Sequence, residues 1–365
     1  MTSGGNVIII TFIVTIISKS VKGSIFNRIR LAILIILVGV VGVLATCAYA
    51  LVGGSLPLRT VADVPLTGGV SRLDYESFDA NRGILYIAHL GADSVIAVDP
   101  RGRRVVATIA GTPSVRGVLA VSELDRVYAA AEGTGELVTI DAGAMRVIAR
   151  VRAGNVDGLA YDPQTKHVFV SDESGGKATV IDTRSNAVIA RIELGGEAGN
   201  TVYDRASGHI FVAVQTRNDI VEIDPSKNRI VRRHRVPGCL RGHGLIVDAA
   251  THAAYVACQI NAQLVRVDLQ TGRPASSGIS IAPDVLALDE GLHRLYVASE
   301  SGIVSVFDVG AGHFIKIGQG FFAPNAHVVA VDQRTHQVFF PLRDLTGRPV
   351  LRIAVPTTMK DRRHD

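Results

Sequence analysis

Tryptophan is absent from this 365-residue chain, and aromatics of all kinds make up only 5% of it. Any core it builds must be aliphatic, drawn from the Val, Ile, Leu and Ala that suit buried β-strands. Charge is sparse too: 19% charged residues against 47% hydrophobic ones exclude a disordered chain. No C-x-x-C-H occurs, which excludes covalent haem, and H-E-x-x-H, G-x-S-x-G, P-loop and EF-hand patterns are equally missing. No serine stands in a recognisable nucleophile context. A basic excess is lacking once the N-terminus is set aside. Lys19, Lys22, Arg28 and Arg30 lie in the first 50 positions, which hold no acid; removing them from 38 basic residues leaves 34 against 33 acidic ones. Nucleic-acid binders carry a clustered basic stripe. Only RRHR at 232–235 resembles one, and it reads as a solvated outer strand, so no nucleic-acid partner is expected.

What the chain does contain is a unit that returns seven times from residue 72 onward. Each copy has an apolar run ending near an acid, a turn, an aromatic-led run such as LYIA, and a run ending in an aliphatic–Asp pair. The first acid is Asp79, Asp162, Asp204, Asp248, Asp289 and Asp332, with Ser122 standing in once, at spacings of 43, 40, 42, 44, 41 and 43 residues. The second is Asp99, Asp141, Asp182, Asp224, Asp268 and Asp308, and the seventh copy lacks it. A period of this size holding four short strands marks a propeller blade. The predicted fold is all-β: a seven-bladed β-propeller of four-stranded antiparallel blades over 58–356, followed by a polar tail at 357–365. The seventh copy has room for three strands. The lone strand at 59–66 is therefore predicted to close the last blade by pairing with residues near 350–355, which removes the exposed sheet edges of an open array.

The segments LYIAHLGADSVIAVDPRGRRVVATI, VFVSDESGGKATVIDTRSNAVIARI and LYVASESGIVSVFDV resemble the YVTN-repeat, YncE-like propellers of bacteria. The resemblance covers roughly 58–356. The Asn of the repeat name is missing; its position is held by His89, Ala131, Asp172, Val214, Cys258, Ser299 and Leu342. The resemblance implies the fold and little about function, since function lives in sites grafted onto folds.

Ahead of the repeats, residues 31–52 form an uncharged run long enough to span a bilayer as a helix, preceded by positive charge. Residues 1–52 thus read as a leader that keeps its N-terminal flank cytoplasmic and exports the propeller. Ala48-Tyr49-Ala50 fits a signal-peptidase site, so cleavage there competes with retention as an inner-membrane anchor; lipidation at Cys47 is a further alternative. The apolar run 7–17 makes the leader long, which points either to a start near Val21 or to an extra interfacial segment. Export implies an oxidising, periplasmic or extracytoplasmic compartment, in which Cys239 and Cys258 could pair across one end of the fifth blade.

Five positions before each first acid, every copy sends one residue to the mouth of the axial channel: Asp74, Gly117, Asp157, Gly199, His243, Asp284 and His327. Second-strand ends add His89, Asp172, Glu132, Glu173, Gln215, Gln259, Glu300 and Arg343 to that face. The candidate ligand-binding residues are Asp74, His89, Asp157, Asp172, His243, Asp284 and His327. Asp74, Asp157, His243, Asp284 and His327 are also candidate ligands for a divalent metal. The same pattern has a plain structural explanation, because a wet channel mouth tolerates polar groups and Asp caps turns. His167, His209, His252, His293 and His336 recur in phase in the first hairpin and read as turn structure on the opposite face. The functional expectation is a binding or scaffold protein presenting its polar face to a small ligand or a protein. The alternatives are a metal-dependent hydrolase or lactonase and, by fold analogy, a redox accessory of a quinoprotein-like system.

Overall fold

The computed structural model describes residues 56–310 and 312–357. The apolar run 31–52 lies outside them, as does the tail from 358, and among the described residues no helix is long and apolar enough to cross a membrane. The described chain forms seven antiparallel sheets of four strands each. Six blades are sequential hairpin meanders, at 76–110, 115–152, 156–193, 198–235, 242–278 and 283–321. The seventh takes three strands from 330–356 and its outer strand, Leu58–Pro65, from the start of the described chain. Leu58 pairs with Pro356, Thr60 with Ala354 and Pro65 with Val350. Asp63 and Arg352 face each other across this seam, joined by two hydrogen bonds of 2.8 Å.

The repeat is legible as packing. The aromatic that leads each second strand (Tyr86, Tyr128, Phe169, Phe211, Tyr255, Tyr296 and Phe339) is buried in every blade. These rings and the aliphatic residues around them form seven clusters, such as Tyr86, Val95 and Ile109 of blade 1 with Val127, Val138 and Ile140 of blade 2. Burying one such side chain contributes about 1.5–3 kcal/mol. The recurrent acids hold the turns. Asp79 accepts the backbone N–H groups of Asn81 and Arg82, Asp162 those of Gln164 and Thr165, and Asp332 that of Arg334. Asp99, Asp141 and Asp268 do the same for the turns that follow them. Where serine replaces the first acid, the Ser122 hydroxyl donates to Asp79 of the neighbouring blade at 2.6 Å.

Candidate functional site

Five of the seven innermost strands, those of blades 2 to 6, are interrupted where the ring of channel residues lies. Register slips between Val115 and Val118, Val156 and Leu159, Ala198 and Thr201, Gly242 and Gly244, and Pro283 and Leu286. A bulge re-aims side chains and bends the strand. Here it turns Arg116, Asp157, Asn200, His243 and Asp284 out of the pleat. Crowding explains the small residues on the ring. A Cβ on Gly117 would lie 2.1 Å from the backbone oxygen of Asp157, and one on Gly199 would lie 3.0 Å from that of His243.

The mouth holds a polar chamber of about 350 Å³, walled by Arg72, Asp74, Tyr75, Arg116, Asp157, Glu173, Arg241, His243, Asp284 and Glu300. Blades 5, 6, 7 and 1 contribute an arc in which His243 Nε2 is 3.4 Å from Asp284, and His327 Nε2 is 4.0 Å from Asp284 and 3.9 Å from Glu300. Arg72 reaches over this arc, at 2.7 Å from Glu300, 3.7 Å from Asp74 and 3.8 Å from Asp284. Arg116 pairs with Glu132 at 2.7 Å, and Arg241 with Glu197 at 2.7 Å.

Burial among like charges separates these groups electrostatically. Burial and the charge of Asp284 push Asp74 up to about 8, against the pull of Arg72. Burial also raises Asp157, to about 6, against the charge of His243. Asp284 goes the other way: burial opposes its charge, but His243 above all, with Arg72, holds it below the ordinary carboxylate value. His243 is raised to about 9, because Asp284, Asp157 and Glu173 outweigh its desolvation. At neutral pH the chamber therefore holds an imidazolium beside an ionised Asp284, with a protonated Asp74 close by.

Below the chamber the channel is plugged. The Tyr75 hydroxyl crosses from blade 1 to donate to Asn200 Oδ1 of blade 4. Beyond this bridge lies a second space of about 330 Å³ lined mainly by aliphatic side chains, including Val118, Leu159, Val202, Leu245 and Val285. Glu76 faces it. The residue as a whole is half-buried, but both its carboxyl oxygens are sealed from solvent. Desolvation pushes this carboxyl well above its ordinary pKa.

Of the residues singled out from sequence, Asp74, Asp157, His243 and Asp284 wall the chamber and His327 packs against its edge. His89 and Asp172 do not line it, which corrects their place among the candidate ligands. His89 is buried, lying 2.8 Å through Nε2 from the Ser71 hydroxyl, and desolvation lowers its pKa. Asp172 accepts the N–H of Gly175 and caps a turn. Strand alternation explains the error. The last residue of each second strand shares a column with Ala131, Val214, Cys258 and Leu342, which point between blades, whereas the next residue faces the mouth. Donor atoms close enough to share an ion come from Asp74, Asp284 and His327, within 4.8 Å of one another; Asp157 and His243 are not part of that group. Sequence reading also missed Arg72, Arg116 and Arg241, which sit one or two positions ahead of the ring residues. Cys239 and Cys258 form a disulfide, Cα to Cα 5.3 Å, that ties the loop carrying Arg241 to the end of the second strand of blade 5.

No protein-family model matches the chain. A stretch of 116 residues, 30% of the chain, is 26% identical to the uncharacterised protein YncE of Escherichia coli O157:H7 and spans 33% of that protein. Hydrazine synthase of Kuenenia stuttgartiensis superposes with a TM-score of 0.69 over 82% of this chain and 98% of the matched chain, at 12% identity, a likeness of fold alone. The seven-bladed architecture and the partial match together support the resemblance of this chain to YncE-like propellers.

Proposed function

We propose that the propeller is a binding protein whose mouth chamber takes a small, highly polar ligand carrying both signs of charge. The observation that carries this reading is the mixed charge of the chamber wall, where the guanidinium groups of Arg72, Arg116 and Arg241 stand among Asp74, Asp157, Asp284 and Glu300. A few placed polar and charged groups are what fix a small ligand in a pocket, and a ligand with donors and acceptors on opposite ends matches this wall. A chamber of about 350 Å³ suits a molecule of amino-acid or hydroxy-acid size. The test is a thermal-shift and calorimetric panel of amino acids, hydroxy acids, dicarboxylates and polyols. One class should raise the melting temperature of the wild type, and the effect should vanish in Arg241→Ala and Asp157→Asn. Binding that survives both substitutions contradicts the reading.

A metal-dependent hydrolase is the second reading, favoured by the proximity of Asp74, Asp284 and His327. Cation-dependent turnover of a lactone or ester panel would decide for it. Export to the outer side of the inner membrane is part of the proposal, supported by the apolar run 31–52 and by the Cys239–Cys258 pairing. Alkylation of protein freshly isolated from cells should find these two thiols blocked until reduction. Free thiols at both positions would contradict export.

A further inference from the structure

We propose that Asp74, Asp284 and His327 form a divalent-cation site, and that the Arg72 guanidinium stands in for the cation until one binds. The three residues come from blades 1, 6 and 7, so only ring closure assembles them. All three are buried, with donor atoms within 4.8 Å of one another. His327 is set up as a ligand. Its Nδ1 lies 3.0 Å from the backbone oxygen of Asn325, and an N–H at that position donates to it. That tautomer leaves the Nε2 lone pair facing inward, the arrangement a metal-ligating histidine usually has. This Nε2 is sealed from solvent and has no hydrogen-bond partner; the acids nearest to it are at 3.9 and 4.0 Å. An isolated buried acceptor aimed at two carboxylates is what a bound cation resolves.

Arg72 shows where positive charge is wanted. Its guanidinium serves Glu300 at 2.7 Å and reaches toward Asp74 and Asp284 at 3.7 and 3.8 Å. Its side chain is 39% exposed, so it approaches from the solvent side on a flexible stem that can swing away. A divalent ion would displace the Asp74 proton, neutralise both carboxylates and also take the lone pair that the guanidinium leaves unused. Two carboxylates with one imidazole suit Zn²⁺ or a similar first-row ion and leave a coordination position open. Mg²⁺, which loses water reluctantly and prefers oxygen ligands, is a poor match. The inference deepens the reading of the mouth as a binding chamber, but its test needs no organic ligand, so either can fail without the other.

The experiment is calorimetric titration of the untagged full chain, stripped with chelator, with Zn²⁺ alone and with Mg²⁺ alone. One equivalent of Zn²⁺ should bind in the micromolar range or tighter, with no comparable Mg²⁺ binding. Asp284→Asn and His327→Gln should each weaken Zn²⁺ by tenfold or more. Arg72→Gln should strengthen it several-fold, a gain that loss of folding cannot mimic, and circular dichroism checks the other variants. Two results overturn the site: no stoichiometric binding in either wild type or Arg72→Gln, or binding unchanged in both ligand variants, which would place the ion on surface histidines. Weaker binding in Arg72→Gln would overturn the exchange.

Discussion

Replacing Asp284 by Asn should loosen the proton that gives His243 its positive charge at neutral pH. The imidazole lies 3.4 Å from Asp284, and its pKa rises from 6.5 to about 9 although burial alone would lower it. That rise corresponds to about 3 kcal/mol of preference for the charged ring. A pair of unit charges at this distance, with an effective dielectric near 20, interacts by about 5 kcal/mol. Asp284 is therefore the largest single contribution to the rise and offsets much of the desolvation, while Asp157 and Glu173 add smaller contributions that survive the substitution. In Asp284→Asn, desolvation should weigh more heavily and bring His243 well below its wild-type value. Imidazole resonances followed by NMR from pH 5 to 10 measure this directly, with His243→Gln identifying the signal among 11 histidines. A wild-type His243 that titrates near 6.5, or one that stays near 9 in Asp284→Asn, would refute the chamber electrostatics.

Stability should fall as pH rises from 5 to 9. The folded protein keeps a proton on Asp74 between its ordinary value of 3.8 and about 8, where the unfolded chain has lost it. The stabilisation from His243 is complete below 6.5 and disappears as pH passes about 9. Melting temperatures by circular dichroism should show this decline, with a shallower slope in Asp74→Asn; a flat or rising wild-type profile contradicts it. Glu76, raised by desolvation, has the same sign: Glu76→Gln should be nearly neutral at pH 4 and increasingly stabilising toward pH 8, and denaturant midpoints that move the other way would contradict it. Removing the Cys239–Cys258 bridge, which spans 19 positions, should cost about 3 kcal/mol in urea unfolding. Wild-type stability in the Cys239→Ala/Cys258→Ala protein would show that the bridge contributes nothing.

The fold was legible because its determinants are periodic. The aromatic at the head of each second strand and the acid before each first hairpin recur because every blade must bury the same ring and close the same turn. Closure by 59–66 followed from counting strands in the last copy. The site was only partly legible, because it depends on where the period breaks. Ring positions at a constant offset identified Asp74, Asp157, His243, Asp284 and His327. Arg116, however, lies in a bulge and Arg72 and Arg241 precede their strands, and nothing in the spacing marked any of the three. The Tyr75–Asn200 bridge joins blades 1 and 4 across the axis, a contact the repeat cannot encode. His89 and Asp172 show the opposite error, since comparing their column across seven copies reveals mostly interior residues.

The most direct check on the account is a double-mutant cycle between Asp74→Asn and Asp284→Asn, by denaturant unfolding of the chelator-treated full chain at pH 9. The two residues belong to blades 1 and 6 and become neighbours only if the N-terminal strand closes the ring. The account predicts a coupling of about 1–3 kcal/mol between them. Effects that add to within about 0.5 kcal/mol would mean that the two carboxylates do not meet.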